Sequence, residues 1–259
     1  MDYEGLLFEK KDGIATVTLN SPDKLNAIST KMRASLLKII DDIGKDDSIK
    51  VVILTGAGRG FCAGADLSEL MAGPMPEPSL FERVQGIPRP AFFKLDKPVI
   101  AAVNGACVGA GLSLALTCDI RIASDKAKFG SAFIKLGATP DNGMSFWLTK
   151  LMGLSNALEF LLTGKIVMGA EAKQLGLVNQ VVPGEELMKV AQELAAQMAQ
   201  YPLMALSLTK KLVYRGMLED ISRQYDWENQ AGQITMQSQA NKDAMNAFAE
   251  KKPAPPKEK

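Results

Sequence analysis

The sequence predicts an α/β fold that continues into an all-helical C-terminal region. Buried-strand patterns alternate with helical patterns over most of the chain, and after Glu185 only helical patterns remain. Such alternation is typical of α/β folds. The 259 residues suit one large domain with an appendage. We therefore expect residues 1–200 to form an α/β core and residues 201–259 a C-terminal helical region that packs on a neighbouring subunit.

Strand patterns of two kinds support the core. Residues 14–19 alternate between apolar and polar side chains, which predicts a half-buried strand. Residues 51–54 and 99–103 are uninterrupted apolar runs, which predict strands covered on both faces. Weaker candidates for further strands lie at 120–123 and 177–182.

Helical spacing of apolar residues predicts the intervening helices. Ser29 is a candidate N-cap, and Gly44 is expected to end the helix that follows it. The other helical patterns span 111–117, 144–152, 155–163, 170–175, 185–200, 203–215 and 219–249. The proline-rich segment 73–90 is expected to be a mobile loop or a short broken helix.

Composition excludes several classes of function. The chain has no histidine, which removes Ser-His and Cys-His catalysis and histidine-ligated metals, and no metal site is expected. Its three cysteines lack the spacing of a disulfide framework or a zinc site and fit a reducing compartment. A net charge of +1 argues against nucleic acid as a partner. With no signal-peptide pattern and no apolar run near ~18 residues, we expect a cytoplasmic protein without a membrane partner.

Two glycine-rich turns and one acid carry the chemistry. The turns, Gly60–Leu67 and Asn104–Gly111, each follow a buried-strand pattern and open a helix. Backbone N–H groups of two such turns can converge on one oxygen as an oxyanion hole, and an acid near them, here Asp141, can transfer a proton. The alternatives are close packing for the turns and a turn-forming role for Asp141 after Pro140. Residues 55–60 lack the Gly-Lys-Ser/Thr ending of a phosphate loop, and the glycine spacing of the second turn disfavours a dinucleotide turn.

The ordered motifs resemble those of the crotonase (enoyl-CoA hydratase/isomerase) superfamily, over about residues 5 to 250. The motifs include 20–27, both glycine-rich turns, 97–105, 118–119, 127–130, 162–164 and 172–178. The resemblance implies a crotonase-like spiral of ββα units. It also implies a C-terminal helical region, 201–259, that forms a homotrimer or a dimer of trimers.

The resemblance further implies an acyl-CoA thioester as substrate, with no cofactor besides the coenzyme A of the substrate itself. The backbone N–H groups of Ala65 and Ala110 would form the oxyanion hole. Asp66 would have a structural or adenine-side role rather than a catalytic one. The residues that would bind the substrate are Lys24, Ala63, Gly64, Ala65, Asp66, Leu67 and Ala110.

Departures from the family pattern bear on the reaction. The resemblance implies that enoyl-CoA hydratases use two glutamates. Their positions fall here on Ser113 and Phe133. Asp141 instead matches the acid of Δ3,Δ2-enoyl-CoA isomerases of the peroxisomal type and of the phenylacetate-pathway isomerases. The same position holds the nucleophile of 4-chlorobenzoyl-CoA dehalogenase, but that enzyme also needs a histidine, and a tryptophan where this chain has Phe133.

A double-bond shift needs one base that takes a proton from C2 and returns it at C4, together with an oxyanion hole. The prediction is therefore an enoyl-CoA isomerase in which Asp141 is base and acid. Nearby aromatic residues are expected to keep water from it: Phe129, Phe133, Phe146 and Trp147. A weak hydratase, a ring-epoxide isomerase and a non-catalytic acyl-CoA- or RNA-binding protein remain alternatives.

Overall fold

The structure is a computed structural model of the chain, and it describes residues 3–66, 68–69 and 91–217, together with Gln239 and Asp243. The expectations for 73–90 and 219–249 lie outside the described residues. None of the described helices is long and apolar enough to span a membrane.

The strands with bounds in the described residues form two sheets. They are β1 Leu6–Lys11, β2 Ile14–Leu19, β3 Val51–Gly56, β4 Gly60–Cys62, β5 Val99–Val103, β6 Ala106–Val108, β7 Ile120–Ser124, β8 Lys128–Gly130, β9 Ile166–Met168 and β10 Gln180–Val182. The larger sheet has the order β1-β2-β3-β5-β7-β10, and the smaller has the order β4-β6-β8-β9. All neighbouring strands are parallel except β1–β2 and β8–β9, which are antiparallel.

Helices connect and cover these strands. The α-helices with bounds in the described residues are α1 Thr30–Lys45, α2 Ala110–Leu116, α3 Met144–Met152, α4 Leu154–Thr163, α5 Gly169–Gln174, α6 Leu187–Ala199 and α7 Leu203–Gly216. Short 3-10 turns lie at Pro22–Lys24, Phe92–Lys94, Phe133–Leu136 and Gly184–Glu186.

The central strands β3 and β5 are buried on both faces, as their uninterrupted apolar runs predict. Alternate residues of each strand point into two separate cores, because side chains alternate across a strand. On one face Val51 and Ile53 pack with α6, and on the other Val52 and Leu54 pack with α1 and the smaller sheet. Helix α6 thereby completes one of the two cores.

The first helix agrees with the sequence at its start and departs from it at its end. The Ser29 hydroxyl accepts a hydrogen bond from the Met32 N–H at 3.1 Å, which confirms the N-cap. The expected end at Gly44 is wrong, because the helix continues to Lys45. The reason lies in Lys97, whose buried ammonium donates to the carbonyl oxygens of Ile43 and Asp46, each at 2.6 Å, and so satisfies the helix end.

Two other expectations need correction. The turn Asn104–Gly111 contains a strand, β6, which pairs with β4 and β8. The expected strand 177–182 is shorter, since the N–H groups of Leu177 and Val178 donate to the Ala172 carbonyl and belong to the end of α5. The strands of the smaller sheet span only three residues each, too few to show a periodic pattern.

A buried ion pair fastens α7 to the core of its own chain. Lys210 Nζ lies 2.8 Å from Asp119 Oδ2 and also donates to the carbonyl oxygens of Phe92 and Lys97. Asp119 in turn accepts from the Val99 N–H and the Tyr214 hydroxyl, each at 2.7 Å. The first helix of the C-terminal region is thus held by a nearly saturated polar network.

Lys210→Met should lower the free energy of unfolding by about 3 kcal/mol, because removing one partner of a buried pair leaves an uncompensated charge. Urea unfolding measures this loss. The matched control is Lys211→Met, since the neighbouring Lys211 pairs with Asp96 at the exposed surface and should cost at most about 1 kcal/mol. Equal losses for the two variants would show that the buried pair does not anchor α7.

Candidate active site

Parallel pairing of β4 and β6 brings the two glycine-rich turns together. Gly60 lies opposite Ala106 and Cys62 opposite Cys107. Three residues beyond this last pair, the chain reaches Ala65 on one side and Ala110 on the other. The two alanines therefore lie at the same end of neighbouring strands, as the sequence predicted.

Two glycines allow this close approach. Gly64 has a φ of +116°, and a Cβ placed on it would lie 3.2 Å from the Val108 carbonyl oxygen and 3.8 Å from the Ala110 nitrogen. A Cβ on Gly111 would lie 2.2 Å from the Cys62 carbonyl oxygen, closer than real Cβ atoms approach. The start of α2 is therefore pressed against β4, and a side chain at Gly111 would push the two turns apart.

Both alanines present backbone N–H groups at this junction. A parallel bridge between Ile28 and Ala65 uses the Gly64 carbonyl and the Asp66 N–H, so the Ala65 N–H takes no part in it. Ala110 is the first residue of α2, where an N–H has no partner within the helix. Neither N–H donates to any group in the described part of the chain. Two adjacent donors of this kind can stabilise an anionic oxygen.

Asp141 is tied to α2 by a side-chain hydrogen bond. The carboxylate is half-buried in the loop before α3. The hydroxyl of Ser113, which is fully buried, donates to Asp141 Oδ1 at 2.7 Å and approaches the Asp141 carbonyl oxygen at 3.4 Å. Ser113 follows Ala110 by three residues on the same helix, so an N–H donor and the anchor of the acid share one short element. No local pattern predicts this contact, because 28 residues separate the partners.

Aromatic side chains surround a cavity beside Asp141, although not all of those predicted. Phe146 and Trp147 line a cavity of about 390 Å³ that reaches Asn142 and Gly143, the residues after Asp141. The other aromatic walls are Phe93 and Tyr214, whose rings lie 5.5 and 5.7 Å from the ring of Trp147.

The remaining two predicted aromatics pack in or against the core. Phe129 is fully buried in β8, and Phe133 packs against the core; neither lines this cavity. Sequence reasoning missed Phe93 and Tyr214, since tertiary folding alone brings them to α3.

The predicted coenzyme A segment is held by an ion pair. Lys24 Nζ lies 2.7 Å from Asp66 Oδ2, and Ser68 donates to Asp66 Oδ1. Lys24, followed by Ser68, lowers the pKa of Asp66 to about 2, and the same pairing raises the pKa of Lys24. The backbone of Ala63 and Gly64 is bonded to the segment 25–28. Leu67 lies outside the described residues.

The thiols have no exposed surface from which to react. Cys62, Cys107 and Cys118 are all free and buried. Burial raises the pKa of both Cys62 and Cys118 to about 12 and that of Cys107 as well. Within the described residues, no three His, Cys, Asp or Glu side chains lie close enough together to hold a metal ion.

Comparison with known proteins identifies the family. Residues 9–259 match the enoyl-CoA hydratase/isomerase family model. The chain is 39% identical over 258 residues to the short-chain-enoyl-CoA hydratase of Clostridium acetobutylicum, covering 97% of each chain. It is 37% identical over 253 residues to the 1,2-epoxyphenylacetyl-CoA isomerase of Escherichia coli, covering 96% of this chain and 97% of the relative.

Solved structures agree with this match. An enoyl-CoA hydratase subunit from Geobacillus kaustophilus superposes with a TM-score of 0.90 at 33% identity over 100% of both chains. The enoyl-CoA hydratase of Bacillus anthracis gives 0.88 at 31% identity, over 97% of this chain and 98% of the other. The chain belongs to the enoyl-CoA hydratase/isomerase family, the crotonase superfamily, which confirms the predicted crotonase-like fold and the class of acyl-CoA chemistry.

Proposed function

We propose that the protein is an enoyl-CoA isomerase that converts 3-enoyl-CoA to 2-enoyl-CoA, with Asp141 as base and acid. One observation carries the proposal: the Asp141 carboxylate is bonded to Ser113 on the helix that presents the Ala110 N–H. An acid and an oxyanion donor on one rigid unit are the parts that proton transfer next to a thioester needs.

The reaction balances with this single acid. Asp141 takes a proton from C2, and the electrons of that C–H bond pass into a dienolate whose oxygen accepts hydrogen bonds from the Ala65 and Ala110 N–H groups. The protonated Asp141 then gives the proton to C4, and the double bond moves to C2–C3. No other reactant is consumed. Coenzyme A is part of the substrate, and we assign its binding to Lys24 and to the segment from Ala63 to Leu67, including Asp66.

Hydration is the less favoured reaction because it needs two groups that hold and split a water molecule. Ser113 and Phe133 occupy the positions that the family resemblance assigns to the hydratase glutamates, and neither carries a carboxylate. The Ser113 hydroxyl is moreover engaged with Asp141. The hydratase named among the relatives shares 39% of its residues with this chain, which does not fix the reaction within a family that hosts several.

A second candidate, ring-epoxide isomerisation, is favoured by the aromatic cavity. The walls formed by Phe93, Phe146, Trp147 and Tyr214 offer stacking faces to a cyclic acyl group. The relative from Escherichia coli at 37% identity carries the name of such an isomerase. Product analysis with 3-enoyl-CoA and with 1,2-epoxyphenylacetyl-CoA separates the two candidates.

Asp141→Asn should lower the rate of 3-enoyl-CoA isomerisation by ~10²–10⁴, the range typical of a general acid–base group. The amide keeps the volume and the contact with Ser113 but cannot take the proton. Binding of an unreactive acyl-CoA should change little. The rate is measured by the absorbance of the conjugated product, and the control is Asp41→Asn on the exposed face of α1.

Near wild-type isomerisation by Asp141→Asn would return Asp141 to the role of a turn residue. Faster hydration of 2-enoyl-CoA than isomerisation of 3-enoyl-CoA by the wild type would refute the isomerase assignment.

Ala110→Val should abolish most turnover, whereas Ala110→Gly should retain it and accept bulkier acyl groups. Both variants keep the N–H, so the side chain acts only by its volume beside the thioester. A valine that displaces the carbonyl from the donors should cost about 3–4 kcal/mol of transition-state stabilisation, comparable to the loss of one donor. The measurement is kcat/KM for a straight-chain and a branched substrate. Unchanged kinetics for Ala110→Val would remove Ala110 from the site.

We also propose that the protein is a homotrimer or a dimer of trimers, and that residues 201–259 contribute to its assembly. The support for an oligomer is an exposed apolar stripe that lies outside this region, on α4: Leu154, Leu158 and Leu162 are 63%, 46% and 66% exposed. Ile134 and Leu136, in the neighbouring 3-10 turn, are also exposed. An apolar surface of this kind is typical of a subunit interface. The cytoplasmic location and the lack of a separate cofactor stay predictions.

Replacing Leu158 and Leu162 by glutamate should dissociate the oligomer into 27.9 kDa chains, because charges on an apolar interface are costly to desolvate. Sedimentation velocity measures the change. The control is Leu7→Glu, since Leu7 is 49% exposed on β1. A wild-type protein that sediments as a stable, active monomer would contradict the proposal.

A further inference from the structure

The hydrogen bond between Ser113 and Asp141 lies where it can determine the geometry of the acid. Ser113 is fully buried, and its N–H donates to the Gly109 carbonyl at 3.0 Å as the first bond of α2. Residues three apart on a helix share a face, so Ser113 lies below Ala110 on the same side. The oxyanion donor and the anchor of the acid are therefore at a fixed separation.

The backbone on both sides of this hydrogen bond is fixed. Helix α2 cannot shift toward β4, because Gly111 already touches the Cys62 carbonyl. The Asp141 carbonyl accepts the Met144 N–H at 2.9 Å, and Asn142 adopts a left-handed φ of 47°, so the loop before α3 has a defined shape. The bond from the Ser113 hydroxyl to Oδ1 then restrains rotation of the Asp141 side chain.

The contact also distinguishes the two carboxylate oxygens. A hydroxyl that donates to Oδ1 does so whether the acid is ionised or protonated on Oδ2, because a neutral carboxyl group keeps acceptor capacity on its carbonyl oxygen. A proton on Oδ1 would instead force the Ser113 hydroxyl to turn away. Ser113 thus disfavours Oδ1 as the oxygen that exchanges a proton with the substrate.

We propose that Ser113 is a positioning residue that holds Asp141 in the orientation in which its carboxylate takes the C2 proton and returns the same proton at C4. This role rests on the assignment of Asp141 under the proposed function. Ser113 itself neither gains nor loses a proton, and its O–H bond stays intact through both steps. The position that carries a glutamate in hydratases, by the family resemblance, here serves the acid of the opposite loop.

The test compares three variants of Ser113. Ser113→Ala removes the hydroxyl, Ser113→Cys keeps the approximate volume with a weak donor, and Ser113→Thr keeps a hydroxyl. We expect the first two to lower kcat for 3-enoyl-CoA on the order of 10- to 100-fold, the cost of a misplaced catalytic group, with KM changed less than about 2-fold. Ser113→Thr should recover most of kcat.

A substrate deuterated at C2 supplies a readout that a merely structural residue would not move. The wild type should carry a measurable share of the deuterium from C2 to C4, because one oxygen on one face transfers it. In Ser113→Ala the acid loses this restraint and should exchange more with solvent, so this share should fall at least about 3-fold, in keeping with a less fixed orientation. Mass spectrometry of the product measures it.

The matched control is Thr117→Val, which removes another buried hydroxyl, that of the C-cap residue of α2. Thr117 accepts the Phe92 N–H and does not contact Asp141. It should lower the melting temperature without changing kcat or the deuterium transfer. Equal losses of kcat in Thr117→Val and Ser113→Ala, or wild-type kcat and deuterium transfer in Ser113→Ala, would overturn the positioning role.

Exchange of the α-proton of a saturated acyl-CoA in D₂O separates this proposal from the proposed function. This exchange needs Asp141 and the oxyanion hole but no double bond. A wild type that exchanges but does not isomerise refutes the isomerase assignment, and Ser113 is then judged by the exchange rate alone. Exchange by Ser113→Ala at the wild-type rate overturns the role of Ser113, and a loss restored by Ser113→Thr supports it.

Discussion

The contact on which the candidate site depends is the packing of the N-terminus of α2 against β4. Gly111 lies so close to the Cys62 carbonyl that no side chain fits between them. This contact, together with the parallel register of β4 and β6, determines where Ala65 and Ala110 present their N–H groups. Backbone donors placed in this way need no reorganisation when charge develops on an oxygen between them. The glycines thus act through close packing, because that packing places the two N–H groups next to each other.

Hydrogen bonds and an ion pair connect α2 and the residues that follow it to two other parts of the chain. The Ser113 hydroxyl on α2 is bonded to the carboxylate of Asp141 in the loop before α3. Asp119, which follows α2, pairs with Lys210 and accepts a hydrogen bond from Tyr214, both on α7. The ring of Tyr214 also forms a wall of the aromatic cavity beside Asn142. The network that fastens the C-terminal helix to the core therefore also positions one wall of this cavity.

Local patterns in the sequence predicted the long elements and failed for the short ones. Strands β3 and β5 show uninterrupted apolar runs because both of their faces are buried, and Ser29 was recognisable as an N-cap from its own side chain. Strands β4, β6, β8 and β9 are three residues long and are stabilised by their neighbours rather than by periodicity. The end of α1 depends on Lys97, more than fifty residues away. For the site, the glycine turns and Asp141 were visible, whereas the contact with Ser113 and the placement of Phe93 and Tyr214 arise only from tertiary folding.

Under the proposed function, the side chain at position 113 bears on which reaction the candidate oxyanion hole serves. With a carboxylate at position 113, a second acid would lie near Asp141, and like charges at that distance oppose each other's ionisation. A serine removes the repulsion and supplies a donor to the acid that remains. Water then lacks a second base, while proton transfer within the substrate needs none. In this proposal the backbone donors, held by the glycines, would serve a reaction set by which side chains of α2 and of the loop before α3 carry charge.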